Sequence, residues 1–538
     1  MMNKRIKLWF STLSISFLLA GCDRAQDTTL ANGLIYCSEG NPESFNPQTT
    51  TSGITLDASS QQLYDRLIEL DAATGDLTAG IATSWQTSPD GKTIDIFLRK
   101  DVKFHQTRYF IPSRTLNAQD VVFSFNRWRL STHPFYSSAD SYPHMQSYEL
   151  DALIKDIEAV SPYHVRFHLN QQSASFLHHL ATDYMVILSA EYGAKLELQS
   201  SKSQLDNYPI GTGPFYFDNF VKDEFIRFKA HPDYWQGQPH INQLVYDITP
   251  QSSSRLAKLI TGECDVVAHP VASEMEVLQD KAGVTLQSKN AENVAFWAFN
   301  TLKPPFDRAE VRRALAKSID RQTIYKTIYY GMAFPANSLI PPSSWGYNSN
   351  LPHLTYNPEQ AKKELRAAGI EEGFELEIWS PHIEREYNPN SLKMAELIQA
   401  NLAAVGINAT IVDYEWSTLR KKLSSHEHDS VLIGWSADMV SPDNFLTATL
   451  SCAAAVIGNN RAAWCNPHFD ELVKSAMLSD DLNRQKELYM QAQSLLHQEM
   501  PIFPIAHSLS FLAKQDNVLN IKFSPYSAIS FKHVEKIK

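Results

Sequence analysis

Asp438 follows the apolar run "VLIGW", Val431 to Trp435, and no Lys or Arg lies within several positions of it. An aspartate after a strand is a common turn former or helix cap. It is also the group that a cation from elsewhere would seek. Arg385 offers the opposite chemistry, because its planar fork of donors matches a carboxylate, unless Glu384 or Glu386 on either side takes it first. Tyr387, Trp416 and Trp435 add aromatic faces, which serve as core or as walls of a site. A cation-binding group, an anion-binding group and aromatic walls together make a frame for a small zwitterion.

Other chemistries find little support. "SSHEHDS" places His426 and His428 in an H-x-H too sparse for a metal site. Hydrolase, metalloprotease and P-loop signatures are missing, and "GTGPF", Gly211 to Phe215, reads as a tight turn with close backbone approach. The expectation is a binding protein without catalysis, cofactor or metal. A periplasmic hydrolase is the competing class, argued against only by the missing motifs.

These residues need elements to position them. "NPEQAKKELRAAG" is a helix with Asn357 at its N-cap, Pro358 in the first turn and Gly369 past its end. Strand "FELEIW" follows, then the loop bearing Arg385 and Tyr387. The helix "SLKMAELIQANLAAVG" carries Leu392, Leu397, Ile398, Leu402 and Val405 at roughly helical spacing. Strand "NATIV" runs into Trp416, and a short helix precedes the strand ending at Trp435 and Asp438. This βαβαβ order predicts an α/β fold with parallel strands. Ligands of open α/β sheets sit beyond the carboxyl ends of the strands, so Arg385, Trp416 and Asp438 should share one edge. Residues 34–290 read as strand-rich and mixed, with the hairpin "SWQTSPDGKTIDIFL" and a helix capped by Asn117.

The chain of 538 residues carries a net charge of −11, enough length for two or three domains and a poor charge for nucleic acid. "MMNKRIK" followed by 13 apolar or small residues is a secretory leader, too short to span a bilayer. It ends in "LAGC", a sequence like the bacterial lipobox, which makes Cys22 a lipidation site. Four cysteines remain: Cys37, Cys264, Cys452 and Cys465. In an exported chain they favour disulfides. Three pairings are open; the most economical joins Cys452 to Cys465 and leaves Cys37 with Cys264.

Several longer motifs resemble one family: "YCSEGNPESFNPQ", "LNAQDVVFSFNR", "PIGTGPF", "LIPPSSWGYN", "YNPEQAKKELRAAG" and "GWSADMVSPDNF". The family is the family 5 solute-binding proteins of peptide ABC importers, and within it the dipeptide-binding and Sap branches. The resemblance runs from about residue 34 to the C-terminus. It implies a two-lobed periplasmic binding protein fold with mixed sheets and a hinge between the lobes. Behind the signal peptide at 1–21 and a polar tether at 22–33, the resemblance implies a lobe I core from 34–63, 213–290 and 509–538, an inserted domain at 64–212, and lobe II at 291–508. The resemblance also supports the economical disulfide pairing. It implies that Asp438 binds a peptide α-ammonium, that Arg385 binds the α-carboxylate, and that Trp416 and Trp435 wall the ligand; Tyr387 joins the candidate ligand-binding residues by its place on the Arg385 loop. "TSGIT" would offer backbone contacts through Ser52 and Gly53. The implied partners are a short peptide and an inner-membrane ABC permease; the lipobox-like "LAGC", followed by Asp23 as in retained Gram-negative lipoproteins, adds the membrane through a lipid anchor, for a monomer on the periplasmic side of the inner membrane. A role in antimicrobial-peptide resistance comes with the Sap branch, and a non-peptide ligand such as haem is the alternative on the same fold.

Overall fold

The computed structural model describes residues 32–71, 75–479, 481–521, 523–524 and 528–537. The leader and Cys22 therefore lie outside the described residues.

One extended mixed sheet organises the chain. At one end, Phe374–Pro381 pairs in parallel with Ile407–Tyr414 on one side and Ser430–Ser436 on the other. The βαβαβ reading is thus observed, with the Arg385 strand between those of Trp416 and Asp438. Ser430–Ser436 then pairs antiparallel with Asn293–Phe299, whose seven residues are all buried. At the other end, Gly33–Ser38 lies parallel to Gln243–Ile248 and to Val266–Ala268. The long strand Ile502–Gln515 joins the two ends. Its first part pairs with Asn293–Phe299 and its last part with Val266–Ala268 and Val284–Asn290. A separate antiparallel sheet contains Ala82–Thr87, Thr93–Leu98, His164–Leu169 and Ile154–Ser161.

Local chemistry sets the helix ends as the sequence implies. The Asn357 side chain accepts from the Gln360 N–H, Pro358 occupies the first turn, and Gly369 adopts φ +76°. Asn117 and Asp120 form a reciprocal capping box. Helix Ser391–Ala404 buries Met394, Ala395, Ile398 and Leu402. Leu392 is exposed, because the helix presents its 394/395/398/402 face to the sheet rather than the stripe that includes 392. A Cβ on Gly211 would sit 1.9 Å from the Leu63 carbonyl oxygen, which is the close backbone approach expected of "GTGPF". The disulfides are Cys37–Cys264 and Cys452–Cys465.

Candidate ligand-binding cleft

The three parallel strand ends open on a cavity of about 200 Å³. Asp438, Arg385, Tyr387, Trp416, Trp435 and Gly53 all line it. Ser52 does not. It is fully buried at the N-cap of helix Gly53–Leu63 and its hydroxyl makes no hydrogen bond, so only its neighbours Thr51 and Gly53 reach the cavity wall.

Asp438 is mounted by Asn444. The Asn444 Oδ1 accepts from the Asp438 N–H at 3.2 Å and from the Trp435 indole N–H at 2.9 Å. Its amide donates to the Tyr148 hydroxyl at 2.9 Å and more distantly to Asp438 Oδ2 at 3.5 Å. Burial, reinforced by the Asp183 charge and opposed by Asn444, pushes the Asp438 carboxyl up to about 7. His144 Nδ1 lies 3.7 Å away. That contact is no ion pair: burial first, then Arg420 and His179, push the His144 pKa down to about 3 and hold the ring neutral. The imidazole stacks on Tyr184 at 4.1 Å between centroids. Among the described residues, no Lys or Arg nitrogen lies within 4 Å of Asp438.

Arg385 pairs with neither sequence neighbour. Its Nη1 donates to Glu39 Oε1 at 2.6 Å, with both side chains buried, and its guanidinium lies 4.7 Å from the Trp416 ring centroid. Glu384 instead reaches Arg255 at 3.1 Å and the Ser252 hydroxyl at 3.0 Å. Glu386 accepts from Ser436 and Ser510 and lies 3.5 Å from His269. Burial raises its pKa, but His269 and the two hydroxyls outweigh it and leave Glu386 below the ordinary value. The loop's alternating directions explain the outcome, because three successive side chains leave the backbone towards three different walls. Arg385 Nη2 is buried without a hydrogen-bond partner.

Tyr387 packs against Gly434, where an added Cβ would fall 2.3 Å from the ring. Trp416 starts helix Trp416–Ser424, and its indole N–H is buried and unpartnered. His428 gives its ring to the Arg461 carbonyl at 2.7 Å and His426 to that of Ala455 at 3.1 Å. Among the described residues no cluster of His, Cys, Asp or Glu could hold a metal ion.

Several cavity residues escaped the sequence reading: Glu39, Asp57, His144, Asp183, Arg420 and Arg461. Glu39 carried a usable signal, since it directly follows Gly33–Ser38, a parallel strand ending at the same cleft. His144 and Asp183 carried none, lying in turn-rich segments with no periodicity pointing to the cavity. Asp57 is pushed up to about 7 by burial, with His269 opposing.

Comparison with known proteins places this architecture. The bacterial extracellular solute-binding proteins, family 5, match residues 76–456. The dipeptide-binding protein of Escherichia coli K12 is 41% identical over 505 residues, covering 94% of each chain. The peptide transport periplasmic protein SapA of Salmonella typhimurium is 40% identical over 508 residues, covering 94% of this chain and 92% of that protein. The crystal structure of a dipeptide-binding protein from Pseudoalteromonas sp. SM9913, in complex with Met-Leu, is 44% identical with a TM-score of 0.92, covering 94% of this chain and 100% of that one. The chain belongs to the bacterial extracellular solute-binding proteins, family 5, and is a two-lobed binding protein rather than an enzyme.

Proposed function

We propose that the protein captures short peptides in the periplasm and delivers them to an inner-membrane ABC permease. The observation that carries this reading is the charge layout of one cavity. Asp438 has no cationic partner among the described residues, while three arginines line the same cavity and tryptophans flank it. A zwitterion brings the missing cation with it. Burying its ends requires charged partners, and backbone contacts from the Gly53 region ignore side chains. The relatives named for dipeptide binding support the same ligand class. A cavity of about 200 Å³ suits a ligand the size of a small dipeptide.

In this reading Asp438 takes the α-ammonium, with Trp416, Trp435 and Tyr387 as walls. The lobe division is 34–63, 213–290 and 509–538 for the lobe I core, 64–212 for its insert, and 291–508 for lobe II. Lipidation of Cys22 tethers a monomer to the inner membrane. Mass spectrometry of the mature N-terminus tests the anchor, and an unmodified Cys22 overturns it. The similarity to SapA extends the proposal to antimicrobial-peptide resistance, tested by the peptide susceptibility of a deletion strain.

Titration calorimetry with free dipeptides such as Ala-Ala tests the central reading. Stoichiometric binding without cleavage is expected, and no binding of any dipeptide overturns it. A Soret band in the purified protein would favour haem instead.

A further inference from the structure

Three arginines line the cavity, and two of them are already neutralised. Arg385 is bound to Glu39 at 2.6 Å. Arg420 is bound to Glu43 at 2.8 Å and to the hydroxyls of Thr50 and Thr51 at 2.7 and 3.2 Å. Arg461 differs. Among the described residues no carboxylate oxygen lies within 4 Å of it, and its Nη1 donates only to the Gly458 carbonyl of its own loop. It lines the cavity. Enclosure by the protein, with Arg420 adding to it and Tyr387 and Glu43 opposing, pushes its pKa down to about 9. The guanidinium stays charged at neutral pH, in a place that disfavours the charge.

Its mounting is rigid. The loop is closed by the Cys452–Cys465 disulfide. Asn460 donates to the Trp464 carbonyl at 2.7 Å and accepts from the Ala462 N–H at 3.1 Å. Asn459 ties the loop to the Ala448 carbonyl at 2.6 Å, and His428 holds the Arg461 carbonyl at 2.7 Å. A guanidinium on a loop tied in this way, facing a ligand cavity with no carboxylate within 4 Å among the described residues, is a preorganised receiver for a planar anion.

We propose that Arg461 receives a carboxylate of the bound peptide, supplied by the α-carboxylate or by an acidic side chain. This rests on the peptide reading of the cavity and adds a specificity-determining residue to it. Arg461 is then the lining arginine with no carboxylate oxygen within 4 Å among the described residues, beside Arg385 and Arg420, which are paired with Glu39 and Glu43.

The test is calorimetry on the full protein with Ala-Ala, its C-terminal amide, Ala-Glu, Glu-Ala and their glutamine counterparts. Wild type, Arg461→Gln and Arg461→Lys are compared, with melting temperatures as the folding control. If the α-carboxylate is the source, Arg461→Gln weakens Ala-Ala at least tenfold and leaves the amide unchanged. If an acidic side chain is the source, the preference for Ala-Glu or Glu-Ala over the glutamine counterpart falls at least tenfold. Arg461→Lys keeps part of the effect, since it retains charge without the fork. A folded Arg461→Gln protein that binds every peptide within twofold of wild type overturns the inference while leaving the peptide reading intact. Wild type decides the case even where the variant fails to fold: equal affinity for Ala-Ala and its amide, and for glutamate and glutamine peptides, shows that no carboxylate is recognised. If wild type binds no peptide at all, the peptide reading falls first and this inference with it.

Discussion

Arg385 Nη1 and Glu39 Oε1 stand 2.6 Å apart although 346 positions separate them in sequence. The pair joins the loop after Phe374–Pro381 to the end of Gly33–Ser38, and so links the two ends of the sheet across the cavity. Glu39 Oε2 and Arg385 Nη2 have no other hydrogen-bond partner, so each charge depends on the other. Arg420–Glu43 and Arg255–Glu384 span the same divide.

Removing one member of that buried pair strands its partner. Arg385→Ala should destabilise the protein by about 3–5 kcal/mol, the usual cost of leaving a buried charge uncompensated. The double variant Glu39→Gln/Arg385→Ala should recover a large part of the loss. Urea melts read both, and a double variant no more stable than the single one would contradict the coupling.

Asp438→Asn removes the group proposed to hold the peptide α-ammonium. Affinity for Ala-Ala should fall about a hundredfold or more, in line with the 2–5 kcal/mol typical of a buried charge pair. N-acetylated peptides, which bring no cation, should lose little. Similar affinity of Asp438→Asn and wild type for Ala-Ala would remove Asp438 from the site.

The Asp438 carboxyl, raised to about 7, couples binding to pH. An arriving ammonium needs the ionised form, so below about pH 7 binding must release a proton from Asp438. Affinity should fall as pH drops from 7.5 to 5, by up to about tenfold for each pH step of one. The fall should vanish in Asp438→Asn. Calorimetry in buffers of different ionisation enthalpy reads the proton directly.

The raised carboxyl also makes a stability prediction of opposite direction. It binds its proton more tightly in the folded protein than in the unfolded chain. Asp438 therefore costs stability increasingly as pH rises from about 4 to about 7, by at most about 1.4 kcal/mol for each pH step of one. Asp438→Asn should melt close to wild type at pH 4 and above it at pH 8. A melting difference independent of pH would refute the assignment of the raised pKa.

Gly434 lets Tyr387 lie flat on the strand that leads to Asp438. A Cβ there would meet the Tyr387 ring at 2.3 Å and the Val294 carbonyl oxygen at 2.4 Å. Gly434→Ala should cost about 1–3 kcal/mol by overpacking and weaken dipeptide binding, because the strand end must shift. Thermal melts and calorimetry together test this, and unchanged values in both would show that the contact can relax freely.

Much of this protein was legible in the chain itself. Helix caps at Asn117 and Asn357, the parallel βαβαβ order and the sharing of one edge by Arg385, Trp416 and Asp438 follow from spacing and local chemistry. Those signals act over a few residues, or through the fixed geometry of parallel strands. The lack of a basic neighbour beside Asp438 was also a sequence fact with physical meaning. Only the tertiary structure decided who neutralises whom. Glu384 and Glu386 sit next to Arg385 in sequence, yet Glu39 takes it, because side-chain direction along a loop is set by the walls it packs against. Asp438 was visible as a lone carboxylate, but its raised pKa needed the burial supplied around it by His144, Tyr148 and Tyr184. Arg461, hidden among the residues of a disulfide loop, is a cavity-lining charge with no carboxylate within 4 Å among the described residues only once the fold turns it towards the cavity. Charge pairing and desolvation depend on distances through space, which sequence separation does not encode.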